Sequence, residues 1–177
     1  MNRIDAIRRR WLFLAVVTLG AGPALPAAPA PPDSAVRAFE RFARLAGNWE
    51  GTSTKGWTER LRFQVIAKGS AVLETSFDAH PGETMATLFS LDAGNLELRH
   101  YCVAGNQPHL RATSYEDEGR RITFTFVDGG NLDSRDRGHM DKAVFLFEDA
   151  DHVMAHWTWY QDGKERWMEE IRLVRKP

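Results

Sequence analysis

The chain has 177 residues, with 23 basic against 24 acidic side chains, a net charge of −1 and a single cysteine. That length provides one domain with one core. The balanced charge, with no dense Lys/Arg block, argues against nucleic acid or an anionic membrane as partner, and a lone cysteine excludes an internal disulfide.

The chain opens with a basic stretch, "MNRIDAIRRR". The apolar run "WLFLAVVTLGAG" and the small-residue, Pro-rich "PALPAAPAPP" follow. This is the order of a secretory leader, and the apolar run is short for a bilayer span. We read 1–28 as a signal peptide, 29–33 as a linker and 34–177 as one domain. Ala27 or Ala28 is the expected last residue before cleavage. The leader holds Arg3, Arg8, Arg9, Arg10 and Asp5, so its removal leaves a net charge of −4. The expected location is the periplasm or the exterior, with no membrane attachment after cleavage.

A short helix comes next. Asp33 or Ser34 is suited to cap it, and Ala35, Phe39, Phe42, Ala43 and Ala46 form an apolar stripe at helical spacing. Gly47 suits its end. From Trp49 the pattern changes to short runs that predict strands over 48–54, 59–66, 70–78, 84–91, 95–103, 110–117, 120–127, 142–148, 152–160 and 165–174. Between them stand "AKGS", "HPGE", "DAGN", "DEGR", "EDAD" and "QDGK", rich in residues that accept hairpin backbone angles. Alternation is clearest in "ERLRFQV" (Leu61, Phe63, Val65), "NLELRHYC" (Leu96, Leu98) and "RRITFTFV" (Ile122, Phe124, Phe126). The last segment, "KERWMEEIRLVR", also has helical spacing. The "QDGK" turn favours a strand, on which Glu169 is a misfit among Trp167, Ile171 and Leu173. The expected fold is all-β: a single antiparallel meander barrel of about eight to ten strands with a short N-terminal helix, closed so that no sheet edge is exposed.

Within "LAGNWEG", Gly47-Asn48-Trp49 resembles the Gly-x-Trp that begins the first strand of lipocalin-like (calycin) barrels. The resemblance implies a Trp that closes one barrel end and packs on a basic residue from a late strand, here Arg175 or Arg172. Taken in order with "HYCVAGNQPHL", "GHMDKAVFLFEDADHV" and "HWTWYQDGKE", the chain is similar over roughly residues 40–174 to an uncharacterised bacterial, often exported family of lipocalin-like barrels. It departs from that pattern at His109-Leu110, where a basic residue and Met are expected. The family contributes a fold and no catalytic residues.

The segment "HYCVAGNQPHL" concentrates the chemistry-bearing residues. On a strand, Leu96, Leu98, His100 and Cys102 share a face, and two leucines make it the inward one. His100 and Cys102 sharing an ion would still lack the third and fourth ligands that zinc requires. A Cys102 nucleophile would need a thiolate, a base within reach and an oxyanion hole, and no third group is evident. The plainer alternative is a small buried thiol beside a hydrogen-bonded histidine, with "AGNQP" as a turn and His109 beginning the next strand. His139 beside Met140 in "RGHMDK" could cap a barrel mouth or supply an axial haem ligand, as in haem-binding barrels of the nitrobindin kind. The loop "DGGNLDSRDRGHMDK" is a candidate lid, and most aromatics are expected in the core.

The reading that follows is an exported barrel that binds a small apolar or amphipathic molecule inside. Phe63, Leu98, Phe124 and Trp157 would form the walls, with His100 and Cys102 as the polar contacts. Gly47, Trp49 and Arg175 would close one end. No cofactor, metal or catalytic residue is assigned. The competing readings are a haem, metal or small-molecule enzyme site built on His100, Cys102 and His139, or a structural module whose barrel is filled by its own side chains.

Overall fold

The computed structural model describes residues 33–80 and 82–177, and the leader and nearly all of the linker lie outside them. Among the described residues no helix is long and apolar enough to cross a membrane. Helix α1 (Asp33–Arg44) precedes ten strands: β1 (Gly47–Ser53), β2 (Thr58–Ile66), β3 (Ala71–His80), β4 (Glu83–Asp92), β5 (Asn95–Tyr101), β6 (Gln107–Glu116), β7 (Arg121–Gly130), β8 (His139–Phe147), β9 (His152–Gln161) and β10 (Lys164–Lys176). Each strand pairs antiparallel with the next, and β1 pairs with β10 to close the barrel. All ten predicted strands are present. The "DAGN" and "QDGK" turns are two-residue hairpins in which Ala93-Gly94 and Asp162-Gly163 all have positive φ, the geometry that matches strand twist.

The final segment is a strand because its residues must span the barrel opposite β1 and β9, and tertiary pairing outweighs its helix-forming composition. Glu169, Ile171 and Leu173 are buried along it.

Helix α1 closes one end, where β1 starts and β10 finishes. Its buried stripe is Ala35, Ala38, Phe39 and Phe42, while Ala46, predicted in the stripe, is exposed. Phe42 enters the barrel and stacks on Phe89 at 4.1 Å, with edge contacts to Phe124, Phe145 and Phe147. Phe63, Leu96, Leu98, Leu110 and Ile122 belong to the same buried core cluster. Val65 corrects the predicted inward alternation of β2: it is 44% exposed, because inward burial along this strand stops at Phe63.

Gly47 begins β1 rather than ending the helix, with φ +132°, and a Cβ there would meet the Arg175 guanidinium at 3.2 Å. That guanidinium lies 4.4 Å from the Trp49 ring centroid and donates to the Arg44, Ala46 and Ala150 carbonyls. Trp49 Nε1 donates to the Leu45 carbonyl at 2.7 Å. One arginine from β10 thus satisfies carbonyls at the end of α1 while covering an aromatic face.

Candidate functional site

The half of the barrel away from α1 has a different interior. Here the inward face carries Ser53 on β1, Glu59 on β2, Glu74 and Ser76 on β3, Thr87 on β4, His100 on β5 and Glu169 on β10, all buried. Strand register sets three of them in a row: Glu74 stands opposite Thr87, and Thr87 opposite His100. Gly51, opposite Glu59, leaves the space this requires, since a Cβ there would lie 3.0 Å from Glu59 Cγ and 2.7 Å from Ile171 Cγ2.

Glu59, Glu74, Ser76, Ala79, Met85, His100, Met140, Trp157, Glu169 and Ile171 enclose a chamber of about 30 Å³. Ser76 Oγ donates to Glu59 Oε2, and Ser53 Oγ donates to Glu169 Oε1 at 2.5 Å. His100 Nδ1 lies 3.0 Å from Thr87 Oγ1, and its ring packs on Trp157 at 5.1 Å. Glu59 Oε1 and His100 Nε2 are buried without a hydrogen-bond partner, a costly arrangement for polar atoms that nothing satisfies.

Burial sets the charge states. It pushes the Glu74 carboxyl up to about 8, aided by repulsion from Glu59. Burial also raises Glu59 to about 7; the Ser76 hydrogen bond opposes this and repulsion from Glu169 adds to it. The same loss of water lowers His100 to about 4. Near neutral pH the chamber therefore holds a neutral imidazole and at least one protonated carboxyl.

Outward of the chamber lies a larger cavity of about 490 Å³, lined by Glu83, Met85, Cys102, Val103, Ala104, Met140, Trp159, Gln161 and Glu169. Met85, Met140 and Glu169 wall both spaces, so the larger one is the mouth and the smaller one the floor. Among the described residues no Lys or Arg lines either.

This arrangement separates the residues read as one pocket. His100 and Trp157 line the inner chamber. Cys102 lies beyond the end of β5, in a turn closed by Cys102 N–H to the Asn106 carbonyl and Gly105 N–H to the Cys102 carbonyl, and lines only the mouth. Phe63, Leu98 and Phe124 face inward but wall neither cavity; Phe124 packs on Phe42 and Leu98 stands opposite Phe89. The turn is also shorter than "AGNQP", because Gln107 and Pro108 already belong to β6.

His109 sits elsewhere, bridging Glu97 Oε2 at 2.7 Å and Asp128 at 3.3 Å, with Arg111 on the other Glu97 oxygen. His139 is buried against Phe126 and Tyr160, its Nδ1 2.7 Å from the Arg137 carbonyl, and lines neither cavity. Among the described residues no group of three or more His, Cys, Asp or Glu is placed to hold a metal ion. Burial also raises the Cys102 thiol, which opposes a nucleophilic thiolate. His100, Cys102 and His139 are not brought together.

The loop 131–138 is not a lid over the mouth. Asn106 donates to the Gly138 carbonyl, Asn131 to Gly105, and Asp162 N–H to Asp136, while Arg135 lies over Phe126 and Tyr160 and pairs with Asp141. A further cleft at the closed end holds Arg41, Arg44, Arg120 and Arg175, but Glu148 and Asp149 share it and Arg175 is committed to the helix carbonyls.

The residues missed in the sequence are Glu59 and Glu74. Each stands two positions from an inward apolar residue, Leu61 and Val72, so alternation placed them inside; an acid on an apolar face was the signal. Glu169 gave that signal as a misfit. Compared with known proteins, the chain matches no family model and no curated protein.

Proposed function

We propose that the protein is a lipocalin-like binding barrel that takes a small amphipathic molecule into its open end, and that it acts outside the cytoplasm once its N-terminal leader is removed. One observation carries the reading. The closed end is packed by Phe42 and its aromatic neighbours, whereas the open end keeps an apolar-walled mouth leading to a polar floor. An apolar cavity with a few convergent polar groups is the usual form of a small-molecule site. The volume of about 490 Å³ suits a molecule of one or two rings. Two methionines on its walls adapt to shape.

Fluorescence titration with N-phenyl-1-naphthylamine, a neutral apolar probe, tests this directly. Uptake is expected to saturate at one probe per chain. Alkylating Cys102 with N-(1-naphthyl)maleimide fills the mouth and is expected to abolish it, while Cys102→Ala treated the same way keeps it. Absence of saturable uptake overturns the reading, as does uptake indifferent to blocked Cys102.

A further inference from the structure

The buried carboxyls of Glu59 and Glu74 on the inside of a barrel are expensive. Buried acids normally pair with a cation or a dense set of donors. Here Ser76 donates to Glu59, and among the described residues no Lys or Arg lines the chamber. The second observation is independent of the acids. His100 is 5% exposed, lines the chamber and has Nε2 without a partner. In the tautomer whose Nδ1–H donates to Thr87 Oγ1, Nε2 is left as an acceptor. Glu59 Oε1 is a second unpartnered acceptor on the same lining.

What fits several unsatisfied acceptors at once is a group that only donates. An ammonium has three N–H donors and no acceptor, and a space of about 30 Å³ admits a group of that size. The mouth beyond it, walled by Met85, Val103, Ala104, Met140 and Trp159, suits an apolar tail.

We infer that the ligand of this barrel is a small organic amine, its ammonium head held by Glu59, Glu74 and His100 in the chamber and its apolar tail lying in the mouth. The inference rests on the proposed binding function and narrows it to one chemical class. It also explains the polar level of the barrel. Glu59 and Glu74 are held towards the protonated form while the site is free, and an entering cation displaces a proton, so that binding releases protons. The titratable groups facing the chamber are Glu59, Glu74, Glu169 and His100, with Glu83 and Cys102 at the mouth.

The test is isothermal titration calorimetry of the full chain with three probes that share a tail: 2-phenylethylamine, 2-phenylethanol and 3-phenylpropionate. At pH 8 the amine is expected to bind roughly ten- to a hundredfold more tightly than the alcohol, the gain from charge-assisted hydrogen bonds, and the carboxylate more weakly than either. At pH 6.5, buffers of different ionisation heat should show about one proton released per amine and none per alcohol. Glu59→Gln and His100→Gln should each erase most of the amine's advantage over the alcohol, compared within each variant. The wild-type comparison and the proton count remain decisive even if a variant fails to fold. If the alcohol or N-phenyl-1-naphthylamine binds and the amine gains nothing, or the carboxylate binds best, the amine assignment is overturned and the binding barrel stands. If none of the four probes binds, both fall.

Discussion

Single residues set the response of this protein to pH. Glu59 and Glu74 have folded values near 7 and 8 against an ordinary 4.5. Below 4.5 the folded and unfolded chains both hold these protons. Above it the unfolded chain ionises and the folded chain does not. Stability is therefore lost as pH rises from 4.5 towards 7 for Glu59 and towards 8 for Glu74. His100 works from the other side. Its folded value near 4 lies under the ordinary 6.5, so falling pH protonates the unfolded chain first and stability is lost from 6.5 down to 4. Glu74→Gln keeps the shape and removes the ionisation. It is expected to raise the thermal midpoint at pH 8 and to leave it nearly unchanged at pH 4.5, in unfolding followed by circular dichroism. An equal effect at both values would contradict an acid held neutral by burial.

The elements divide the barrel's two tasks. Phe42 on α1 fills the closed end, so Phe42→Ala should cost about 3–5 kcal/mol in urea unfolding, while probe uptake at the far mouth persists in the folded fraction. Arg175 joins that helix to β10 through a fork that lysine cannot reproduce. Arg175→Lys should cost about 1–2 kcal/mol in the same assay, on the scale of one or two lost hydrogen bonds. On the outer wall, the ladder between β5 and β6 spans only Glu97–Arg99 against His109–Arg111. The Glu97–His109–Arg111 ion cluster lies on that short ladder, which accounts for His109 without any ligand role.

At the scale of the whole molecule, the fold was legible because hairpin chemistry and alternation are local signals. "QDGK" and "DAGN" marked their turns, and Leu61-Phe63 and Leu96-Leu98 marked their faces. The Trp49–Arg175 contact was also within reach, through the Gly-x-Trp resemblance. Of the predicted pocket residues, His100 and Trp157 line the chamber and Cys102 the mouth. The chamber's acids were not legible, because alternation reports which face a residue occupies and not how far along the barrel the packed half ends. That boundary depends on how deeply Phe42 enters, which no local pattern records. Phe63, Leu98 and Phe124 were assigned to a pocket for the same reason, although they wall neither cavity. The proposed binding function depends on the division into a packed end and an open end, and two-dimensional ¹H–¹⁵N NMR of the chain titrated with N-phenyl-1-naphthylamine tests it. Shifts are expected to concentrate at Met85, His100, Cys102, Val103, Ala104, Met140 and Trp159, with Phe42, Phe89 and Phe124 unmoved. Shifts centred on α1 and the aromatic cluster, or no shifts at saturating probe, would refute it.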